Sequence, residues 1–317
     1  MGEGKLQPGG IADPTDSRDF PYEGFVGYGI EEIPDKHDVE NTYIYLGQKN
    51  QKETLSCGGQ AVAYYISLLN YIDENTFIDF SARSTYAFTH LSGGGSITRD
   101  NILRAVGIGV APEVNFSSQP MVESHLQSTA GWTDTIAKIA LKYKGKIATT
   151  MLDRTNFDLF CNAIYNGHGV VSGVNLSSEG WRSIPIRPPA SGEKIVGHIL
   201  YFKGYDTTDP DPSKHYIVAK DSYPSGDKKL FRNYFEAGMV HSAWTIIDEP
   251  NEENMETIRL MLDGLYDVYG WDKAEMWTEA RQQALRDNPK AEGHNLAVAI
   301  WNNLLATIVV KTEGLKK

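Results

Sequence analysis

Cysteine occurs twice in this chain of 317 residues, and the two thiols sit in unlike surroundings. Cys57 opens the stretch CGGQAVAYYISLL, where Val62, Tyr65, Ile66 and Leu69 recur at the three-four spacing of an amphipathic helix. A thiol in the first turn of a helix faces unpaired N–H groups and the positive end of the helix dipole, which favour thiolate over thiol. That placement makes a sulfur nucleophile. Gly58 and Gly59 behind it suit a first turn that something approaches closely. Cys161, by contrast, lies inside the apolar helical pattern FDLFCNAI with no positive neighbour in sequence, and reads as a buried thiol without chemistry.

A thiolate nucleophile needs a base for the proton, a group that orients the base, and donors for a developing oxyanion. Of the eight histidines, His198 follows Gly197 and precedes ILYFKGYD, which puts it at the start of a strand with its imidazole able to face a cleft across from Cys57. Asp221 follows the strand HYIVAK and precedes Ser222 and Tyr223, so a carboxylate is offered at the end of the next strand. Gln51 lies six residues before Cys57, and its amide could converge with the Cys57 backbone N–H on one oxygen. The loop SGGGS brings Gly94 and Gly95, whose bare backbones could line a cleft. Taken singly, each has an ordinary use as a satisfied core histidine, a turn aspartate, a solvated glutamine or a flexible loop. Neither HExxH nor a Cys/His cluster at ligand spacing occurs, so no metal and no cofactor is expected.

The elements that must carry these groups come as helices first and strands later. Beyond the Cys57 helix, FIDFSARSTYAFTHL reads as a turn into a short helix. TRDNILRAVG reads as a helix capped near Thr98 or Asp100, and 132–146 and 156–166 also show helical spacing. KIATTML and GVVSGVNLS have the β-branched density of strands, and from Lys194 the strands KIVGHILYFKGYD, KHYIVAKDSY and HSAWTIID follow one another between turn signals. A helical half followed by a mainly antiparallel sheet is an α+β chain. Residues 1–40, rich in Gly, Pro and Asp, read as an extended N-terminal segment lying on the surface. After Pro250 the spacing of Met255, Ile258, Leu262 and Leu265 marks the start of a helical extension, 250–317. Its apolar faces would pack on the main domain, on one another, or on a protein partner.

Together, these residues resemble the papain-like cysteine peptidases, whose order of Gln, Cys, His and then Asn or Asp is the order here. Lys49-Asn50-Gln51 is similar to that family's oxyanion-hole glutamine motif, with the step to Ser56-Cys57 retained. Gly197-His198 is similar to its Gly-His strand start, and AKDSY, 219–223, to its Lys-Asn-Ser-Trp. DSRDF with IPDKHDV, and VGIGVAPE ending at Glu113, also resemble family segments. The resemblance covers about residues 14–249 and implies a papain-like two-lobed fold, helical left lobe against antiparallel β right lobe, with the peptidase domain over 41–249. It implies a thiol protease acting on a peptide or protein substrate through a Cys57-His198-Asp221 catalytic triad and an acyl-enzyme. Gln51 would serve the oxyanion hole, and Gly94, Gly95, Gly197 and Tyr223 the substrate-binding cleft. Another cysteine amide hydrolase or acyltransferase, or a non-catalytic binding protein on the same fold, stays open. Asp221 stands where most members have Asn, Tyr223 where they have a shielding Trp, Gly58 where Trp follows the nucleophile, and Thr54 where a disulfide cysteine sits. A long helical prosegment with the usual signature is also missing.

The formal net charge of -11 argues against nucleic acid or an anionic membrane as the main partner, since both would repel the chain. Two cysteines make no disulfide framework. The opening residues hold no signal-peptide core, and no run of eighteen apolar residues occurs, so a cytoplasmic protein is expected.

Overall fold

In the computed structural model the helix expected at the nucleophile runs over Cys57–Glu74. Every residue from Cys57 to Asn70 is buried, so the helix is enclosed on all sides rather than on one face. The small residues allow this. A Cβ on Gly59 would come within 2.4 Å of the Ala82 carbonyl oxygen, and one on Gly58 within 2.6 Å of Asn101 Nδ2. Asn75 closes the helix in the left-handed conformation, φ 49°, its N–H donating to Tyr71 O. The described residues are 9–14, 19, 21–22, 33–183 and 185–247, and the helices expected after Pro250 lie outside them. The chain divides into two compact units, Met1–Glu249 and Pro250–Lys317. The described residues belong to the first.

The strands are β1 Gly10–Ile11, β2 Lys36–Asp38, β3 Ser96–Ile97, β4 Ile147–Thr150, β5 Val170–Ser177, β6 Ile195–Asp206, β7 Tyr216–Lys220, β8 Lys228–Phe231 and β9 Val240–Ile247. Seven of them form a sheet in the order β4-β9-β5-β6-β7-β8, with β2 also on β6, and all its pairings are antiparallel. The α+β expectation therefore holds. Side-chain alternation along β6 divides the core. Ile199 and Tyr201 pack with the Cys57–Glu74 helix, whereas Leu200 and Phe202 join Phe157, Phe160, Trp181 and Tyr223 on the other face. His198 has the parity of Leu200 and stands near the start of that strand.

Among the shorter helices are Arg83–Thr89, Thr98–Gly107, Asp134–Ala140 and Phe157–Asn166. Thr98 does not cap its helix, because the N-cap is Ile97 and the Thr98 hydroxyl is instead hydrogen-bonded to Ser242 Oγ at 2.7 Å. The stretch 1–40 also differs from its reading as surface chain. β2 joins the main sheet, and β1 runs parallel to β3 as a separate two-stranded sheet. Behind β2 the buried Lys203 ammonium meets Asp38, Glu40 and Asp227, and Lys220 meets Glu40 at 2.7 Å, so each desolvated lysine has carboxylate partners.

One buried phenol links the helix to the sheet. Tyr65 donates to Gly167 O at 2.5 Å, accepts from the Ile246 N–H at 2.9 Å, and stacks on Tyr201 with ring centroids 5.3 Å apart. Tyr65→Phe leaves these backbone groups unmatched in a dry interior and should destabilise the fold by about 1–3 kcal/mol. Denaturant unfolding checks this, and a variant as stable as the wild type would show that the phenol does not join the layers.

Candidate active site

Cys57 and His198 come from different layers, the thiol from the first residue of the central helix and the imidazole from β6. Both are fully buried. Asp221, one residue beyond the end of β7, is buried as well, and its Oδ1 lies 3.0 Å from His198 Nε2. That bond occupies one ring nitrogen and leaves Nδ1, which is buried and makes no formed hydrogen bond. Burial alone would push the imidazole toward its neutral form. The charge of Cys57 and the bond to Asp221, together with the side-chain interaction with Cys57, outweigh it and hold the pKa up at about 10, against an ordinary 6.5. The raised pKa favours the protonated imidazole beside the sulfur. A contact that is close but not yet a formed bond is common in sites that tighten around substrate.

Gln51 lies on a loop stitched to the segment that carries Asp221. Gln51 N–H donates to Ser222 O at 2.8 Å, and Gln48 Nε2 to Asp221 O at 2.6 Å and Tyr223 O at 2.8 Å. The Gln51 side chain is oriented by two partners. Its Oε1 accepts from the Ser222 hydroxyl, and its Nε2 donates to Thr54 O at 2.7 Å, so flipping the amide would set carbonyl against carbonyl. These two partners leave one Nε2 hydrogen unused. The Cys57 N–H is itself a first-turn donor that the helix cannot satisfy.

The cleft wall opposite is the glycine loop. Gly93, Gly94 and Gly95 have φ of +94°, +92° and +76°, conformations that side-chain-bearing residues rarely adopt. Gly95 N–H donates to Tyr86 OH at 2.9 Å, Tyr86 to Glu123 Oε1, and Glu123 Oε2 accepts from the Leu55 N–H, so the wall is tied to the segment before Cys57. Tyr223 lies against His198 with centroids 5.7 Å apart, and also meets Trp181 edge to face at 5.2 Å. The structure thus brings Cys57, His198, Asp221, Gln51, Gly94, Gly95, Gly197 and Tyr223 around one cleft.

Other groups at the site were not foreseen from the sequence. Trp181 donates its indole N–H to Asp221 Oδ2 at 3.0 Å. Gln48 and Ser222 hold the loop and the glutamine. Most unexpected is the N-terminal segment, which crosses the cleft instead of lying on the surface. Gly9 N–H donates to Gly197 O at 3.1 Å, and Gly9 O accepts from the Ser96 N–H at 2.8 Å. A Cβ on Gly9 would lie 2.4 Å from Leu55 O and 2.8 Å from Cys57 Sγ, and one on Gly10 2.8 Å from the His198 backbone. Only bare backbone fits there. A paired Gly9-Gly10 next to a Pro was the available signal, but it reads as turn chemistry.

His241 on β9 stands beside Gly173 and Gly197. Burial, then the charge of Arg154, push its pKa down to about 4, so it stays neutral at pH 7 and puts no second imidazolium at the cleft. Cys161 is nearly fully buried among Phe157 and Phe160, and burial followed by the nearby Asp158 pushes its thiol pKa far up. A cavity of about 400 Å³ beside the other end of the central helix, lined by residues including Asp73, Glu74, Lys142 and Tyr143, contains none of the candidate site residues. Among the described residues no group of three or more His, Cys, Asp or Glu is placed to hold a metal ion, and no helix is long and apolar enough to cross a membrane.

No protein-family model matches this chain, and no curated protein matches it significantly in sequence. Solved structures do resemble it. Xylellain, a cysteine protease from Xylella fastidiosa, superposes with a TM-score of 0.62 at 19% identity, over 78% of this chain and 98% of its own. Procathepsin B S9 from Trypanosoma congolense does so at 0.57 and 13% identity, over 77% and 87%. The Carica candamarcensis cysteine protease CMS1MS2, solved in complex with E-64, gives 0.54 and 13%, over 68% and 100%. At these identities the likeness is one of fold.

The seated segment generates a test. A side chain in place of Gly9 collides with Leu55 O and Cys57 Sγ, and overpacking of this kind costs about 1–3 kcal/mol. Gly9→Val should therefore free the cleft and speed alkylation of Cys57 by iodoacetamide about five- to a hundredfold, while Cys161 stays unmodified. Mass spectrometry of the labelled chain measures both, and an unchanged Cys57 rate would mean that the segment does not cover the thiol.

Proposed function

We propose that this chain, whose fold is that of the papain-like cysteine proteases, is itself a cysteine peptidase with Cys57 as nucleophile. One observation carries the reading. A fully buried imidazole is held protonated between the thiol at a helix start and a fully buried carboxylate, an arrangement that costs desolvation and has a use in nucleophilic catalysis.

The Cys57 thiolate attacks the peptide carbonyl carbon, and the carbonyl electrons move onto oxygen. The Cys57 N–H and the remaining Gln51 Nε2 hydrogen receive that charge, each donor contributing about 3 kcal/mol in comparable sites. His198 Nδ1 gives its proton to the leaving amine as the C–N bond breaks, which leaves an acyl-enzyme on sulfur. The now neutral imidazole takes a proton from water, hydroxide adds to the acyl carbon, and the thiolate leaves. Asp221 on Nε2 keeps the ring in the tautomer and orientation that both steps need. The Ser96 N–H and the Gly197 carbonyl, which pair with the chain's own Gly9 here, are the groups that would align a substrate backbone, with Gly95 beside them. The N-terminal segment must leave first, so the form described is latent. Its Gly9 carbonyl is turned to the Ser96 N–H and not to the oxyanion donors, which supports its persisting uncut beside the nucleophile.

The filled cleft also favours a second reading, a binding protein whose thiol is never used. A thiol-directed epoxide such as E-64, with peptide turnover, separates the two. Labelling at Cys57 in the Gly9→Val chain, with cleavage of a mixed peptide library, is expected. Neither labelling nor cleavage would overturn the peptidase reading in favour of binding, and labelling without cleavage would point to a different amide substrate.

Cys57→Ala should abolish turnover, and Gln51→Ala should lower kcat by roughly 10²–10³. Because the acid is an imidazolium whose pKa lies near 10, it is lost only as pH rises through that value. The alkaline limb of kcat/KM should accordingly fall well above 6.5. A limb at the ordinary histidine value would show that the ion pair is absent.

A further inference from the structure

We infer that Trp181 is a positioning residue of this site, and that its indole N–H is what requires a carboxylate rather than a carboxamide behind His198. The inference rests on the reading above in so far as Asp221 orients the catalytic imidazole. Asp221 is fully buried and has a donor on each oxygen, His198 Nε2 on Oδ1 and Trp181 Nε1 on Oδ2, both at 3.0 Å. An indole nitrogen only donates, and the imidazolium donates through Nε2. A carboxylate accepts from both. A carboxamide has a single acceptor oxygen, so its NH₂ would have to face either the indole or the imidazole, two donors opposed where no water can intervene.

Neither side can move away. Trp181 sits on the helix Ser178–Arg182, whose start is capped by Ser177 Oγ accepting from the Gly180 N–H at 2.9 Å. The Lys228 ammonium lies 4.4 Å from the indole ring centroid on one side, and Tyr223 meets the ring edge to face. The backbone of Asp221 is held in turn, since Gln48 Nε2 donates to its carbonyl, with Tyr64 OH at 3.5 Å from the same oxygen. The indole thus pins the far oxygen while His198 takes the near one, and the carboxylate plane is set by both.

The test is a cycle of Asp221→Asn, Trp181→Phe and the double variant, with kinetics on chains also carrying Gly9→Val and imidazole ¹⁵N spectra on the full chain. Asp221→Asn should lose kcat with little change in KM, and His198 should no longer hold the single Nε2–H form at high pH. Adding Trp181→Phe removes the opposed donor and should recover kcat about tenfold over Asp221→Asn alone, with the Nε2–H form restored. Loss of a merely structural tryptophan would only add damage. A double variant no better than Asp221→Asn in rate and in ring nitrogen state overturns the inference. Should Trp181→Phe fail to fold, the wild type decides. Its Trp181 indole N–H resonance should shift as His198 titrates, and a resonance indifferent to that titration overturns the proposal. Absence of peptide turnover in every chain would sink the peptidase reading, while the nitrogen spectra would still decide the role of Trp181.

Discussion

A charged imidazole kept out of water is the constraint on which the rest of this structure depends. Moving such a cation into a protein interior is costly unless opposite charge and hydrogen bonds replace the solvent. His198 has both, the sulfur of Cys57 on one side and the Asp221 carboxylate on the other, and they more than cancel the effect of burial on its pKa. The partners come from separate parts of the chain. The helix contributes the thiol and the sheet contributes the imidazole and carboxylate, so the charge is stable only when the two layers are docked. The Tyr65 phenol, bonded to Gly167 and Ile246, is one of the groups that fixes that docking.

The second constraint is width. Between the glycine wall and the start of β6 there is room for a backbone and little else. A Cβ on Gly197 would lie 1.9 Å from Gly10 O, and one on Gly95 2.8 Å from Gly9 O. Bare backbone on both walls lets N–H and C=O groups of an extended chain pair directly, as in a short sheet. The chain's own Gly9 and Gly10 satisfy the same geometry, which is why this glycine-led N-terminal stretch becomes a strand. Room for an extended chain and its filling by the chain's own segment follow from one set of missing side chains.

What could be read in the sequence follows from how local each signal is. The Cys57 helix announces itself through Val62, Tyr65, Ile66 and Leu69, and its start through the polar loop before it. His198 and Asp221 could be put forward as candidates because strand ends are marked by alternation and by turn residues, and Gln51 because its distance to Cys57 is short. The fold class followed from the order of helical and strand patterns. By contrast, Ser178–Arg182 is five residues long and shows no period to count, and Lys228–Phe231 is four residues whose lysines hide a strand. The full enclosure of the central helix was also illegible, because Gly59 and Ala63 reveal close neighbours only when those neighbours are known.

The site partners escaped for a related reason. Trp181, Gln48 and Ser222 act by completing the hydrogen bonds of residues far away in sequence, and nothing about an isolated Trp or Gln says which acceptor it will meet. Their need can be stated from chemistry, however. A buried carboxylate has two oxygens to satisfy, and one histidine accounts for one of them. An aspartate proposed behind a buried imidazole therefore implies a second donor somewhere in the chain, and an asparagine there would imply an acceptor for its NH₂ instead. The departure from Asn at position 221 and the presence of an indole at its far oxygen are on this argument two sides of one choice, made by hydrogen-bond complementarity in a place that water does not reach.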